Sequence, residues 1–164
     1  MSTIKAVIFD LDGTLLNTEA LSCRAVIEAF ARTNLIIPQD ILDSLKADGN
    51  LLPWDLKRKI LGLRGSEWVP IVLSYAQEHW NVDMEIDWQT SDEEKKESSD
   101  GDNEREAVVN SFWKNWEVRL NELCGEVEAC PGALELVEGL KAAGVPMAIA
   151  TSSRLDSVNK KRCK

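Results

Sequence analysis

Residues 4–9 read IKAVIF, a short, mainly apolar run rich in β-branched side chains, and it stops abruptly at Asp10-Leu11-Asp12-Gly13. Its length and the Asp-Gly that follows favour a strand buried on both faces over a helix fragment. A strand of that kind leaves the chain little freedom, because both its faces need covering layers. In an extended chain, carboxylates at positions i and i+2 project to the same side. Asp10 and Asp12 therefore form a pair at the carboxyl end of the strand, where ligands bind in open α/β sheets. Gly13 permits a sharp turn immediately beyond them. A second apolar run, VPMAIA at 145–150, ends in Thr151-Ser152-Ser153.

Between the two runs the chain reads mainly as helix. Asn17 or Thr18 can cap a helix running to about residue 32, and the segment 34–38 ends it. Ile41, Leu42 and Leu45 fall at helical spacing, and Pro53 suits the start of the next helix. Gly62 and Gly65 interrupt the pattern, and Trp68 to Trp80 resumes it. Val109, Phe112, Trp113, Trp116 and Leu120 mark one side of a helix over 108–123. All six tryptophans lie between Trp54 and Trp116, which points to an aromatic core in a helical subdomain rather than a ligand-stacking site. Residues 91–106 hold eight acidic and three basic side chains and no large apolar one. Such a segment cannot bury enough surface to offset its ordering entropy, so a disordered or solvated insert is expected. After Pro131-Gly132 a helix with Leu134, Val137 and Leu140 on its buried face runs to a stop at Gly144. The stretch after Ser153 reads as a polar tail.

The run Asp10-Leu11-Asp12-Gly13-Thr14-Leu15, continued by Leu16-Asn17-Thr18-Glu19 and preceded by an apolar strand, resembles the first signature of the haloacid dehalogenase (HAD) superfamily. VPMAIATSS at 145–153 resembles the second, a hydrophobic strand ending in Thr or Ser. The resemblance implies an α/β fold: a HAD-like Rossmannoid parallel sheet with an inserted α-helical cap. Residues 1–17 correspond to the first core strand and catalytic loop. Residues 18–127 correspond to the cap, with the acidic insert at about 83–106, and residues 128–164 to the returning core helix and second-motif strand. Leu52-Pro53-Trp54 and Gly62-Leu63-Arg64-Gly65 resemble cap segments of the pseudouridine-5′-phosphatase-like branch.

The same resemblance assigns roles. Asp10 is the nucleophile that takes up a phosphoryl group, and Asp12 is the acid/base that protonates the leaving oxygen and then activates water. Thr151 and the backbone amide of Ser152 bind phosphate oxygens, where Ser152 and Ser153 can add hydroxyls. Mg²⁺ is the implied cofactor, held by the Asp10 carboxylate and the backbone carbonyl of Asp12. Repulsion between the two carboxylates is expected to help keep one protonated near neutral pH. In the cap, Arg64 or Lys57 could meet an anionic substrate group, although each also fits a solvated helix face.

Family members carry a third motif with a lysine and a fourth with acidic metal ligands, each after further secondary structure. Here eleven residues follow Ser153. Lys160, Lys161 and Lys164 come too early for the third-motif lysine, and no acidic pair follows a later strand. The sequence therefore reads as C-terminally truncated, with later core strands absent, an edge unpaired, apolar surface exposed and Mg²⁺ binding weakened.

A net charge of −9 disfavours nucleic acid and anionic membrane surfaces as partners. No run approaches a membrane span, and no leader-like segment precedes the first strand. Cys23, Cys124, Cys130 and Cys163 form no C-x-x-C pair, which argues against zinc and for free thiols in a reducing cytoplasm. The expected partner is a small phosphorylated metabolite, such as a nucleotide or sugar phosphate. The sequence carries no signal for an oligomeric state. The expected activity is phosphate monoester hydrolysis. The alternatives are a non-catalytic member that binds phosphate or a partner, and a phosphomutase. A dehalogenase is disfavoured by Asp12, and a hydrolase built on His79 has no supporting context.

Overall fold

A computed structural model describes residues 4–47, 52–88 and 99–161, with backbone alone at 99–102. The elements are β1 (Val7–Phe9), α1 (Thr18–Arg32), α2 (Gln39–Ala47), α3 (Trp54–Ile60), α4 (Gly65–His79), α5 (Ser99–Leu123), a 3₁₀ turn (Cys124–Glu126), α6 (Ala133–Ala142), β2 (Met147–Ile149) and α7 (Leu155–Lys160). The chain divides into two compact units, one of Met1–Ser22 with Leu120–Lys164 and one of Cys23–Arg119. Among the described residues no helix is long and apolar enough to cross a membrane.

The first unit carries the sheet. β1 pairs with β2 in parallel, with Val7 opposite Met147, Ile8 opposite Ala148 and Phe9 opposite Ile149. Val7 N–H donates to the Pro146 carbonyl (3.0 Å) and Ala150 N–H to the Phe9 carbonyl (2.8 Å), extending the ladder at both ends. This is an α/β arrangement consistent with an incomplete Rossmannoid core. The expectation of strands buried on both faces does not hold, since Ile8 is 71% and Ile149 55% exposed. Two short strands make a sheet too narrow to take a covering layer on each face. For the same reason the predicted buried face of α6 is only partly realised: Leu134 is exposed, while Val137 and Leu140 are half-buried. The boundaries of α6 follow the glycines, with Gly132 at φ 80° before it and Gly144 at φ 68° after it. Leu11, Leu16, Leu21, Leu123, Cys124, Val127 and Ala133 are the buried apolar residues of this unit among the described residues.

The second unit is helical and holds the main core. Val26, Ala29 and Phe30 of α1, Leu56 of α3, Trp68, Val69, Val72, Leu73 and Ala76 of α4, and Phe112 of α5 belong to one buried cluster. Gly65 opens α4 rather than interrupting it, because α4 begins three residues before the expected Trp68. The tryptophans behave mainly as core: Trp68 and Trp80 are buried, and Trp68 packs edge-on against Trp116 with centroids 5.4 Å apart. Trp54 is the exception, at 64% exposed.

Part of the expected acidic insert is helical. Residues 99–106 lie in α5, while 91–98 fall outside the described residues. The apolar positions from Val109 onward anchor the helix. At its upstream end the Arg105 guanidinium stacks over Trp88, 5.5 Å from the ring centroid, and bonds the Asp87 carbonyl. Once an anchored helix exists, adding a residue is far easier than starting a new helix, so polar residues join it. The supposed polar tail also departs from expectation, because residues 155–160 form α7.

Candidate active site

The parallel register brings the carboxyl ends of β1 and β2 side by side, so the loops that leave them share one edge of the sheet. The loop after β1 is tightly stitched. Leu15 N–H and Leu16 N–H both donate to the Leu11 carbonyl (3.0 Å each), and Gly13 N–H donates to the Leu16 carbonyl (2.8 Å). Gly13 sits at φ 72°, where a side chain would be strained. Buried Leu11 and Leu16 pin the loop from beneath. The bonds Asn17 N–H to Glu128 O (2.8 Å) and Cys130 N–H to Leu15 O (2.9 Å) tie its far end to the segment before α6.

Asp10 is exposed at the strand tip, and its Oδ1 accepts the Leu11 N–H at 2.8 Å. Asp12 is half-buried, and donors converge on it. Ser153 Oγ donates to Asp12 Oδ2 at 2.6 Å, and Thr151 Oγ1 stands 3.4 Å from the same oxygen. Lys161 Nζ lies 2.6 Å from Asp12 Oδ1 and 2.9 Å from Ser153 Oγ. Thr151 Oγ1 in turn accepts the Ser153 N–H at 3.0 Å. Of the residues expected from sequence, Asp12 and Thr151 are therefore brought together. Among the described residues, Asp10 and Ser152 do not join this network and are exposed. Arg64 and Lys57 belong to the helical unit, where the Arg64 N–H is held by Glu67 Oε2 at 2.8 Å at the start of α4.

Lys161 joins the site without a signal in the sequence around it. It came too early to match a third-motif lysine, and the short polar helix that carries it gave no periodic signal. α7 packs on the 3₁₀ turn, and Ser157 Oγ reaches Asn121 Oδ1 at 3.4 Å. This anchorage sets Lys161 at the helix end, where its N–H bonds the Ser157 and Val158 carbonyls at 3.2 and 3.1 Å.

The electrostatics of Asp12 are dominated by the groups that hydrogen-bond to it. Repulsion within the Asp10–Asp12 pair was expected to favour a protonated carboxyl. Burial does push the Asp12 carboxyl upward. The hydrogen bonds from Lys161 and Ser153, the Lys161 charge and a bond from Thr18 together outweigh it, so Asp12 lies below its ordinary value of 3.8. The nearby Cys124 thiol moves the other way. Burial raises it, against a partial pull from Lys161 and Lys160, which argues against a thiolate nucleophile here. Cys124 and Cys130 are free thiols, and Cys163 lies outside the described residues.

The donor set can be tested against Mg²⁺. The Asp10 carboxylate and the Asp12 carbonyl are hard oxygen donors of the kind Mg²⁺ takes. One or two carboxylates suffice when water and substrate phosphate complete the shell. Among the described residues no three His, Cys, Asp or Glu gather into a metal cage. The residues present thus fit a weakly held, water-rich ion rather than a closed protein site.

Known proteins resemble this chain along nearly its whole length. Residues 4–164 match the model of the haloacid dehalogenase-like hydrolases. A probable pseudouridine-5′-phosphatase of Saccharomyces cerevisiae is 29% identical over 150 residues, covering 92% of this chain and 46% of the yeast protein. A haloacid dehalogenase-like hydrolase domain-containing protein of Arabidopsis thaliana is 27% identical over 161 residues, covering 96% and 46%. The chain thus spans about half the length of these relatives. Among solved structures, CbbY from Rhodobacter sphaeroides in complex with phosphate aligns with a TM-score of 0.50 and 21% identity, covering 97% of this chain and 56% of CbbY. A HAD family hydrolase from Deinococcus radiodurans with bound phosphate and sodium aligns with a TM-score of 0.50 and 24% identity, covering 96% and 51%. The paired acids at the end of β1, the hydroxyls at the end of β2 and the family match over residues 4–164 agree, and the chain belongs to the haloacid dehalogenase-like hydrolases.

Proposed function

We propose that this chain carries the catalytic half-site of a phosphatase acting on small phosphate monoesters, nucleotide or sugar phosphates, through an aspartyl-phosphate. The observation that carries the reading is the parallel register of β1 and β2, which brings the Asp10–Asp12 tip beside the Thr151–Ser153 turn. In the first half-reaction an Asp10 oxygen attacks phosphorus and the ester P–O bond breaks, while Asp12, ionised in the resting site, takes up the proton of the phosphate monoanion and passes it to the leaving oxygen. In the second, water attacks phosphorus and gives its proton to Asp12, and the bond to Asp10 breaks to release inorganic phosphate. The Thr151 hydroxyl and the Ser152 amide are suited to hold the phosphoryl oxygens as charge moves onto them. Mg²⁺, held by the Asp10 carboxylate and the Asp12 carbonyl, would supply positive charge that offsets repulsion between carboxylate and phosphate.

The helical unit acts as the substrate-selecting cap in this reading, with Arg64 and Lys57 as candidate contacts for an anionic group. The yeast relative's name favours a nucleotide-like monoester. A second reading, phosphate binding without turnover, draws support from the absence of a three-acid metal cage among the described residues.

The two readings separate in one assay, hydrolysis of p-nitrophenyl phosphate with and without Mg²⁺ by the full chain and by Asp10→Asn. Metal-dependent release abolished by the substitution supports the phosphatase. A folded chain that binds phosphate but releases no nitrophenol supports the second reading.

A further inference from the structure

We propose that Lys161 and Ser153 are positioning residues that lock the Asp12 carboxylate in a single orientation, leaving Thr151 free to serve the phosphoryl group. The proposal deepens the phosphatase reading and rests on it for its kinetic consequence, though not for its geometry.

The donor and acceptor accounting carries the argument. Each Asp12 oxygen is held by a different group, Oδ1 by the Lys161 ammonium at 2.6 Å and Oδ2 by the Ser153 hydroxyl at 2.6 Å. The two holding groups are bonded to each other, Lys161 Nζ donating to Ser153 Oγ at 2.9 Å. The three side chains close a ring, so the carboxylate cannot turn about its terminal torsion without breaking a charge-assisted bond. A serine hydroxyl has one proton, and Asp12 takes it. Ser153 therefore has no proton left to donate to a ligand.

Thr151 stands differently. Its hydroxyl oxygen accepts the Ser153 N–H at 3.0 Å, and its distance to Asp12 Oδ2 is a long 3.4 Å. Its proton is only loosely engaged and can turn to another acceptor. Two hydroxyl-bearing residues, two positions apart, thus divide the work.

Lys161 is built for such a role. Its side chain is 8% exposed, although Asn159 and Lys160 beside it are exposed. An ammonium that buried needs its hydrogen-bond partners. The anchorage of α7 on the 3₁₀ turn gives it a fixed root.

The test uses the full chain and the variants Lys161→Met, Lys161→Arg and Ser153→Ala, each checked by circular dichroism and thermal melting. The first readout is the ¹³C resonance of the Asp12 carboxyl in Asp-labelled protein, assigned by its loss in Asp12→Asn. It is expected to move in Lys161→Met and in Ser153→Ala, and to move back toward wild type in Lys161→Arg. The second is steady-state hydrolysis of p-nitrophenyl phosphate. Misplacing a reacting group by about 1 Å can cost about 100-fold in rate, so kcat is expected to fall by about 10- to 100-fold with KM within about twofold. A folded Lys161→Met or Ser153→Ala whose Asp12 resonance stays in place overturns the proposal, as does unchanged kcat in both. If the wild-type chain has no turnover, the phosphatase reading fails alone, and the resonance decides the positioning role. If Lys161→Met does not fold, Ser153→Ala, which keeps the ammonium, decides it.

Discussion

The rings of Phe30 on α1 and Phe112 on α5 meet edge to face, with centroids 4.9 Å apart and planes 79° apart. Both are almost wholly buried, and Phe112 also faces Trp68 at 6.3 Å. They join the two ends of the helical unit's sequence in one aromatic core. Replacing Phe112 with Ala removes that contact and leaves a cavity, and a loss of about 3–5 kcal/mol is expected. Urea unfolding checks this through a lowered midpoint with an unchanged slope. A loss within experimental error would place Phe112 outside the core.

Gly65 gives a prediction whose sign is unusual. Near a helix start, Gly→Ala ordinarily stabilises by restricting the unfolded chain. Here a Cβ built on Gly65 overlaps the indole ring of Trp113. Gly65→Ala must therefore displace Trp113, which is stacked on Trp116 at 4.7 Å. A loss of about 1–3 kcal/mol is expected, in the range of overpacked cores. Thermal melting reads the loss, and near-ultraviolet circular dichroism reads the shifted indole pair. A raised melting temperature would contradict the packing described.

Glu28 sets a pH dependence. Arg24 pairs with its Oε1 at 2.8 Å, and Arg119 of α5 pairs with its Oε2. Burial pushes this carboxyl upward, but hydrogen bonds and charge from Arg119 and Arg24 outweigh it, leaving Glu28 below its ordinary 4.5. A carboxyl depressed on folding is protonated more readily in the unfolded chain. Its contribution is therefore complete above the ordinary value and fades as pH falls through the folded one. The stability gap between wild type and Glu28→Gln should be constant from neutral pH down to about pH 5 and should then close as the solution is acidified. A gap that stays constant down to about pH 3 would rule the linkage out.

The acid role of Asp12 predicts a dependence on the leaving group. An alkoxide needs a proton as it departs, whereas p-nitrophenolate leaves without one. Asp12→Asn should lower kcat/KM for an alkyl phosphate by about 10²–10⁴-fold and for p-nitrophenyl phosphate by much less. Because kcat/KM reports formation of the phospho-enzyme, the base role in the second half-reaction does not obscure the comparison. Equal losses on both substrates would remove Asp12 from proton donation.

The parts of the molecule legible in sequence were those fixed by local chemistry. The helix Thr18–Arg32 and the glycine-bounded α6 follow from short-range signals. The Asp10–Asp12 tip and the Thr151 turn follow from strand-ending motifs. What stayed hidden depended on distant partners. Lys161 meets Asp12 across 149 positions, and nothing near Lys161 in sequence announces a carboxylate. Six residues of mixed polarity left α7 without a period to detect. Residues 99–106 look unable to fold on composition alone, yet they extend a helix whose anchor lies downstream. Leu134 failed in the opposite direction, since its spacing promised burial that a two-stranded sheet cannot supply.

The strand pairing has a kinetic corollary. The helical unit is contiguous in sequence and draws its stability from one dense core, whereas Val7 finds Met147 only after the whole intervening chain has been gathered. Loop closure on that scale is entropically slow, and the few bonds it wins sit beside open surface. Amide exchange at Ala150, which bonds the Phe9 carbonyl, should therefore be faster than exchange in the middle of α4. A molecule organised this way is expected to pair its two strands last as it folds and to part them first as it warms.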